Sequence, residues 1–253
     1  MTFAEPLQEG ILLRRFQRFL AEVRLPSGEV VLAHTNNTGA MLGCGEPGLR
    51  VWLSRARRPG RRCPWTWELS ETREGVLVGV NTQRANALVA EALEEGRLPP
   101  LAGYAVRRRE APFGPFGAGR SRVDLLLEGP GRPPCYVEVK NVTAAREGLA
   151  FFPDAPTARG RRHLQALMAA AAAGRRAVLC FCVQRGDARA LRPADEIDPA
   201  YGRALREAAR SGVELLAWRA RVTLEGLWLE RPLPLRLPPS GTPRRPQRRS
   251  SRE

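Results

Sequence analysis

The sequence predicts a mixed α/β protein of two domains, with a small β-barrel over residues 1–82 and an α/β domain over residues 83–237. Short alternating apolar runs fill the first third of the chain, and helical periodicity begins only after Asn81. The last residues, 238–253, contain no Val, Leu, Ile, Met or aromatic residue and are rich in Pro, Ser and Arg, which predicts a disordered basic tail. A chain of 253 residues has room for two domains of ordinary size.

The barrel prediction rests on five short segments in which apolar and polar residues alternate, as they do in half-buried strands. These segments are 19–25, 30–34, 49–53, 65–69 and 76–80. No segment of helical periodicity separates them. Five strands at this spacing are typical of a small closed barrel of the OB-fold type, and a β-sandwich fragment or an SH3-like barrel remains an alternative.

The second domain alternates helical and extended patterns, and glycines follow two of its helical runs as stop signals. The predicted helices are 84–96, 158–173 and 199–211. The predicted strands are 104–110, 122–127, 135–142, 177–183 and one or two strands within 213–229. The alternation predicts a mixed α/β domain of about 150 residues.

The charge of the chain favours a polyanionic partner. Lys and Arg total 41 against 26 Asp and Glu, so the formal net charge is +15. The barrel contributes +3, the α/β domain +8 and the tail +4. A cation of this size favours polyanionic partners such as nucleic acid, DNA or RNA, or acidic membrane surfaces.

The same composition argues against several classes of protein. No apolar run approaches the roughly 18 residues of a transmembrane helix, so a membrane is not an expected partner. The N-terminus does not resemble a secretory signal, which predicts a cytoplasmic protein, with association with the nucleoid left open. The five cysteines form no C-x-x-C pair and predict buried reduced thiols rather than a metal site, and two histidines argue against zinc chemistry.

One basic residue differs from all the others, because Lys140 is the only lysine and the remaining 40 basic residues are arginine. A GC-rich coding bias explains the arginines, and chance survival of one lysine is the simple alternative. Lysine is a compact cation whose pKa can shift, whereas arginine stays charged. A lysine retained among arginines therefore indicates a chemical role.

Lys140 lies in a predicted hairpin that brings two carboxylates together. Pairing of Leu127 with Cys135 across the loop would set an antiparallel register that places Asp124 opposite Glu138. Lys140 follows Glu138 by two positions and shares its face. Opposed carboxylates repel each other unless a cation lies between them, and Mg²⁺ binds through one or two carboxylates. A solvated salt-bridge face is the alternative.

The D…E-x-K spacing is that of metal-dependent nucleases of the restriction-endonuclease type. We therefore predict Asp124, Glu138 and Lys140 as catalytic residues, with Mg²⁺ or Mn²⁺ as the cofactor. Asp124 and Glu138 are the predicted metal ligands. Glu91, on the preceding helix, is a further candidate ligand, for which a solvated helical glutamate is the alternative.

Further basic side chains are predicted to contact nucleic-acid phosphates, because arginine clusters on loops and near helix starts suit a polyanion. They are Arg50, Arg55, Arg57, Arg58, Arg61, Arg62, Arg120, Arg122, Arg159 and His163. The pair Arg159 and His163 has i, i+4 spacing and shares one helix face. Surface charges and helix caps are the alternative for this pair.

Eight stretches of the chain resemble the sugar fermentation stimulation protein A family. They are RRFQRFLAEV (14–23), HTNNTGAM (34–41), CPWTWEL (63–69), VNTQRAN (80–86), SRVDLLL (121–127), YVEVKNVT (136–143), FFPDAPTARGRRHLQAL (151–167) and GVELLAW (212–218). The resemblance implies an OB-fold joined to a restriction-endonuclease-like domain, non-specific DNA binding, and a regulatory role in sugar, notably maltose, metabolism. It also places Asp124, Glu138 and Lys140 at the nuclease-like positions.

Two functions of different kinds follow from these patterns. The first is a DNA-binding protein with a metal-dependent phosphodiesterase (nuclease) site. The second is a DNA-binding regulator that keeps the nuclease fold without hydrolysis, and an RNA-binding or RNA-processing protein is a weaker third reading. The oligomeric state is left open, with a homodimer as one alternative.

Overall fold

The computed structural model describes residues 1–55, 63–117 and 121–238. Five arginines that the sequence assigns to phosphate contacts lie outside these ranges, namely Arg57, Arg58, Arg61, Arg62 and Arg120. Residues 239–253 of the predicted tail also lie outside them. No helix within the described ranges is long and apolar enough to cross a membrane.

The N-terminal part of the chain forms a closed β-barrel. Its strands are β1 (Gln8–Phe16), β2 (Leu20–Arg24), β3 (Val30–His34), β4 (Arg50–Arg55), β5 (Trp65–Glu71) and β6 (Leu77–Gly79). They lie in the order β3-β2-β1-β4-β5-β6, and a parallel pairing of β3 with β5 closes a barrel of the first five. The prediction of a five-stranded barrel is confirmed.

The membership of that barrel differs from the predicted set in one strand. Strand β1 is not among the predicted strands, because Ile11, Leu12 and Leu13 are consecutive and show no alternation. Only Leu12 of the three is fully buried. The strand is held by its neighbours, since it pairs with both β2 and β4.

The second part of the chain builds a mixed sheet with helices on both faces. Its elements are α1 (Gln83–Glu94), β7 (Ala105–Pro112), β8 (Arg122–Glu128), β9 (Cys135–Val142), β10 (Ala145–Arg146), β11 (Leu149–Phe152), α2 (Ala158–Ala172), β12 (Arg176–Val183), β13 (Ala190–Pro193), α3 (Pro199–Arg210), β14 (Glu214–Val222) and β15 (Leu227–Pro232). Two single 3₁₀ turns span Pro99–Leu101 and Gly114–Phe116. The main sheet has the order β15-β14-β12-β9-β8-β7, with β12 parallel to β9 and β14.

The helices divide the sheet into two buried faces. Helix α1 packs with Val137 and Val139 of β9 in one apolar cluster. Helices α2 and α3 cover the opposite face, where Leu164 packs with Phe181. The central strand β12 is buried along almost its whole length, as expected of a parallel strand covered on both sides. The side chains of β9 therefore point alternately toward α1 and toward α2.

A buried polar joint fixes the barrel to the second domain. Glu68 of β5, only 3% exposed, accepts two hydrogen bonds from the guanidinium of Arg84 on α1, at 2.8 and 3.0 Å, and one from Asn81 at 3.0 Å. Gly79 of β6 donates a backbone hydrogen bond to Gln184 just after β12. A buried ion pair whose partners are fully bonded holds one geometry, because losing either partner leaves an uncompensated charge.

Asp198 ties together the first turns of α2 and α3. It is the N-cap of α3 and accepts a hydrogen bond from Tyr201 N at 2.9 Å and another from Thr157 N, just before α2, at 2.8 Å. Arg161 of α2 forms an ion pair with it at 3.1 Å. Burial acts to raise the pKa of Asp198, but these hydrogen bonds and the Arg161 charge outweigh it, so the pKa lies below the usual value.

Replacement of Asp198 by alanine is expected to lower the free energy of unfolding by about 2 kcal/mol at pH 7, because a cap is lost and Thr157 N is left unbonded. Since the folded-state pKa lies below the unfolded value, the contribution is present above about pH 4 and is lost as the pH falls. Urea denaturation at pH 7 and pH 3 measures both effects. If the difference in the free energy of unfolding between wild type and variant were the same at both pH values, the low pKa of Asp198 would be contradicted.

Candidate active site

A cleft of about 520 Å³ lies between the barrel and the second domain. The barrel lines it with Arg18 and the loop 36–39, and the second domain with Asp124, Glu138 and Lys140. We call this space the interdomain cleft. Both domains therefore contribute to whatever binds near the carboxylates.

Hydrogen bonds to both domains hold the barrel loop 36–39 against the cleft. Asn36 donates to the Asn81 side chain at 2.9 Å, and Thr82 donates to the Asn36 carbonyl at 3.1 Å. Arg15 donates to the carbonyls of Asn37 and Gly39, each at 2.8 Å. The loop is thus positioned by the start of α1 as well as by the barrel.

The register of β8 and β9 is the one that the sequence predicts. Leu127 pairs with Cys135, and the pairing continues to Leu125 opposite Val137. At the next position the contact between the strands is made by a side chain: Asp124 Oδ2 accepts a hydrogen bond from Val139 N at 2.7 Å. Asp124 and Glu138 consequently lie on adjacent strands at the edge of the cleft.

Asp124 is a buried carboxyl group with an unusually high proton affinity. Its Oδ1 accepts a hydrogen bond from Asn86 Nδ2 of α1 at 2.8 Å. Burial, followed by the nearby negative charge of Glu138, raises the pKa of Asp124 to about 7, although the hydrogen bonds from Val139 and Asn86 and the charge of Lys140 oppose the rise. Burial and the neighbouring Glu138 charge therefore favour the protonated form of this carboxyl.

Glu138 is held at one oxygen and left open at the other. Lys140 Nζ and His163 Nδ1 both bind Oε1, while Oε2 is buried without a hydrogen-bond partner among the described residues. Burial acts to raise the pKa of Glu138, but the charge of Lys140 and the contact with His163 outweigh it and keep that pKa below its usual value. Glu138 is therefore the ionised member of the carboxylate pair.

His163 of α2 holds Glu138 in place. Arg159 Nε donates to His163 Nε2 at 3.4 Å, which identifies Nε2 as the acceptor. Nδ1 is then the ring nitrogen that carries a proton and donates to Glu138. Only 6% of His163 is exposed. The chain of contacts from Arg159 through His163 to Glu138 fixes the carboxylate from the side of α2.

The donor set of the cleft fits a hard divalent cation. A cation beside Glu138 Oε2 would satisfy the unpartnered oxygen, and it would return Asp124 to its ionised form. No group of three or more His, Cys, Asp or Glu side chains suited to a metal ion occurs in the described ranges. Water or substrate oxygens would complete the shell, as is usual for Mg²⁺.

The structure brings some of the predicted residues together and separates others. Asp124, Glu138 and Lys140 line the cleft with Arg159 and His163. Three of the other four described candidates lie elsewhere: Glu91 contacts Met1 N at 2.8 Å and Arg97 at 3.7 Å, Arg50 pairs with Glu9 and Glu71, and Arg55 lies over the ring of Trp65. Arg122 lines a neighbouring cavity instead.

Asn86 and the loop 36–39 are among the contributors to the cleft that the sequence-based site lacks. Asn86 lies on α1, the same helix as Glu91, and is the residue of that helix that reaches Asp124. The loop 36–39 comes from the barrel and lies far from Asp124 in sequence. Both fall within the family-like stretches VNTQRAN and HTNNTGAM, which was the available signal.

Family models match both halves of the chain. Residues 13–80 match the SfsA N-terminal OB domain, and residues 83–226 match the Sugar fermentation stimulation protein RE domain. The chain is 54% identical over 242 residues to the sugar fermentation stimulation protein homolog of Alkalilimnicola ehrlichii, covering 94% of this chain and 100% of that protein. The homolog of Halorhodospira halophila is 55% identical over 240 residues, covering 93% and 98%.

A solved structure has the same fold. The structure of SfsA from Pyrococcus furiosus, described as a complex with Ca²⁺, superposes with a TM-score of 0.84 at 27% sequence identity. The match covers 93% of this chain and 98% of the archaeal one. With both domains matched in order and relatives identical at more than half of the aligned positions, the chain belongs to the sugar fermentation stimulation protein family.

Proposed function

We propose that the chain binds nucleic acid, DNA in the first place, in the interdomain cleft and hydrolyses phosphodiester bonds with the help of Mg²⁺ or Mn²⁺. The observation that carries this proposal is the carboxylate pair. Glu138 Oε2 is buried without a partner in the described part of the chain, and Asp124 keeps a proton to about pH 7. Both features suit a pair of carboxylates that binds a cation.

Asp124 and Glu138 would hold the cation, and the remaining groups serve substrate and proton positions. A bound divalent cation supplies charge stabilisation for a phosphoryl oxygen and lowers the pKa of a bound water. Lys140, adjacent to Glu138, donates hydrogen bonds toward the attacking water or a phosphate oxygen. His163 and Asn86 keep the two carboxylates in place.

Two comparisons support the same proposal. The matched domain of residues 83–226 carries a restriction-endonuclease designation in its name, and the related archaeal protein was solved with Ca²⁺. Ca²⁺ prefers oxygen ligands, as Mg²⁺ does. The net charge of +15 provides the long-range attraction for a polyanionic substrate.

The test compares the wild type with an Asp124→Ala/Lys140→Ala double variant on supercoiled and single-stranded DNA, with Mn²⁺ or with EDTA. We expect Mn²⁺-dependent nicking by the wild type alone. We also expect Mn²⁺ at about 100 times its Kd to stabilise the wild type by about 2.7 kcal/mol and to leave the variant unchanged. Equal nicking by both proteins would indicate a contaminating nuclease and would contradict the proposed nuclease activity of the chain. Stabilisation and DNA binding without nicking would favour the non-catalytic regulator.

A further inference from the structure

A second cavity, of about 620 Å³, lies on the other side of the Arg159–His163 face of α2. Arg159 and His163 line both this cavity and the interdomain cleft, so the two spaces adjoin. The second cavity also contains the guanidinium groups of Arg122 and Arg162. We call it the arginine pocket.

The three arginines of this pocket form no ion pair with an acidic side chain in the part of the chain that the structure describes. Elsewhere, arginines such as Arg206 with Asp195 pair with carboxylates. Within the described ranges Arg122 contacts only the Glu110 carbonyl, at 3.3 Å, Arg159 contacts only His163, and Arg162 forms no ion pair. Three unpaired cations beside one concave space repel each other and favour an anion between them.

The other lining groups fit a phosphate ester better than a simple anion. Glu110 also lines the pocket, so three guanidinium groups and one carboxylate give it a formal charge of +2 before His163 is counted. Ser121 and Gln165 add polar side chains. Phe116, whose ring meets Tyr136 edge to face at 5.6 Å, adds an aromatic surface on which a base could stack.

We propose that the arginine pocket is a phosphate subsite for the nucleic-acid strand, which holds the phosphodiester groups next to the one at Asp124 and Glu138. This inference rests on the proposed function and adds the path of the strand. A guanidinium group can donate two parallel hydrogen bonds to two oxygens of one phosphate, which suits this role. The strand passes over Arg159, which together with His163 lines both the pocket and the cleft.

The path also connects substrate binding to the carboxylates. Arg159 contacts His163, and His163 contacts Glu138 Oε1. A phosphate on Arg159 therefore lies two side-chain contacts from Glu138. The subsite is in position to align the strand before any bond is cleaved.

The test measures binding of a fluorescein-labelled 12-nucleotide single-stranded DNA in EDTA over a range of NaCl concentrations. An Arg122→Gln/Arg159→Gln/Arg162→Gln variant is expected to bind with a slope of log Kd against log salt smaller by about 2, at roughly 0.7 per phosphate contact. The control is Arg175→Gln/Arg203→Gln/Arg210→Gln, which removes the same charge from exposed arginines outside both cavities. The control is expected to keep the wild-type slope.

The outcomes separate the subsite from the proposed function. Equal slopes for the two triple variants would overturn the subsite. Absence of DNA binding by the wild type would overturn both the subsite and the nucleic-acid function. A third outcome is also possible: only the first variant has a reduced slope, and the wild type does not cleave DNA with Mn²⁺. This outcome would support the subsite and contradict the nuclease.

A tethering experiment locates the strand directly and does not depend on arginine. All five natural cysteines are buried, so a new surface cysteine reacts selectively. Gln165→Cys should form a disulfide with an oligonucleotide carrying an activated thiol on one backbone phosphate about tenfold faster than Ser211→Cys, because binding raises the local concentration of the thiol. Equal rates for the two exposed cysteines would overturn the proposed path.

Discussion

Replacement of Lys140 by arginine is expected to reduce Mn²⁺-dependent DNA cleavage by about 10²- to 10³-fold and to leave DNA binding in EDTA unchanged. The substitution keeps the positive charge and gives the chain a residue that it already uses 40 times. Any large effect must therefore come from the shape and hydrogen-bonding geometry of the ammonium group. It is the most selective substitution that the proposed site allows.

The surroundings of Lys140 explain the expected loss. Its side chain is only 14% exposed, and its ammonium group binds Glu138 Oε1, which also receives His163. A planar guanidinium is larger and directs its hydrogens in a fixed fork, so it would displace Glu138 or extend into the cleft. Either change misplaces a carboxylate that the proposed reaction needs within a fraction of an ångström.

Single-turnover cleavage of supercoiled DNA measures the effect, with Lys140→Gln as the neutral counterpart. If charge alone mattered, the arginine variant would cleave like the wild type and the glutamine variant would not. We expect both to fail. If the Lys140→Arg variant cleaved DNA at the wild-type rate, a specific role for the ammonium group would be contradicted. The single lysine of the chain would then have no chemical explanation at this site.

Local pairing made the centre of the site predictable from sequence. A hairpin register is set by the short connection between β8 and β9, and side chains in a strand alternate with a period of two residues. Leu127 does pair with Cys135, and Asp124 and Glu138 do meet at the cleft. The helices were predictable for a similar reason, since each has an apolar stripe and an identifiable end.

Long-range contacts set the parts that could not be predicted. The small sheet β10-β11-β13 includes a parallel pair between β11 and β13, whose partners lie about 40 positions apart in sequence and share no local pattern. Spacing correctly placed Arg159 and His163 on one face of α2, but it could not show that His163 faces Glu138 on β9. The residues next to a histidine in sequence do not show whether its side chain is buried or on the surface.

Replacement of Asp124 by asparagine is expected to stabilise the metal-free protein by about 2–4 kcal/mol at pH 8, although it removes a predicted metal ligand. The ionised aspartate destabilises the folded state, because its pKa of about 7 in the folded state is well above the ordinary value of 3.8. Asparagine has no charge to bury. Its oxygen can accept from Val139 N, and its amide can donate to Asn86 once the Asn86 amide turns over.

The dependence on pH gives this prediction its sign. Between about pH 4 and pH 7 the folded wild type binds a proton at Asp124 that the unfolded chain has released, so the wild type loses stability as the pH rises through that window. The variant lacks this loss, and its advantage should shrink toward zero near pH 4. Asp187→Asn is the matched control, since burial acts to raise the pKa of Asp187 but its bonds to Arg185 outweigh it and hold that pKa low.

Guanidinium denaturation in EDTA at pH 4, 6 and 8, repeated with Mn²⁺, measures each of these effects. In Mn²⁺ the wild type should recover or exceed the stability of Asp124→Asn, because only the ionised aspartate binds the cation. Asp187→Asn should be destabilised at pH 8 and less so at pH 4, which is the opposite sign. If Asp124→Asn were less stable than the wild type at pH 8 in EDTA, the carboxylate would be one that the fold needs. If Asp124 instead weakens the fold in EDTA and not in Mn²⁺, the aspartate serves the proposed cation site and not the stability of the fold.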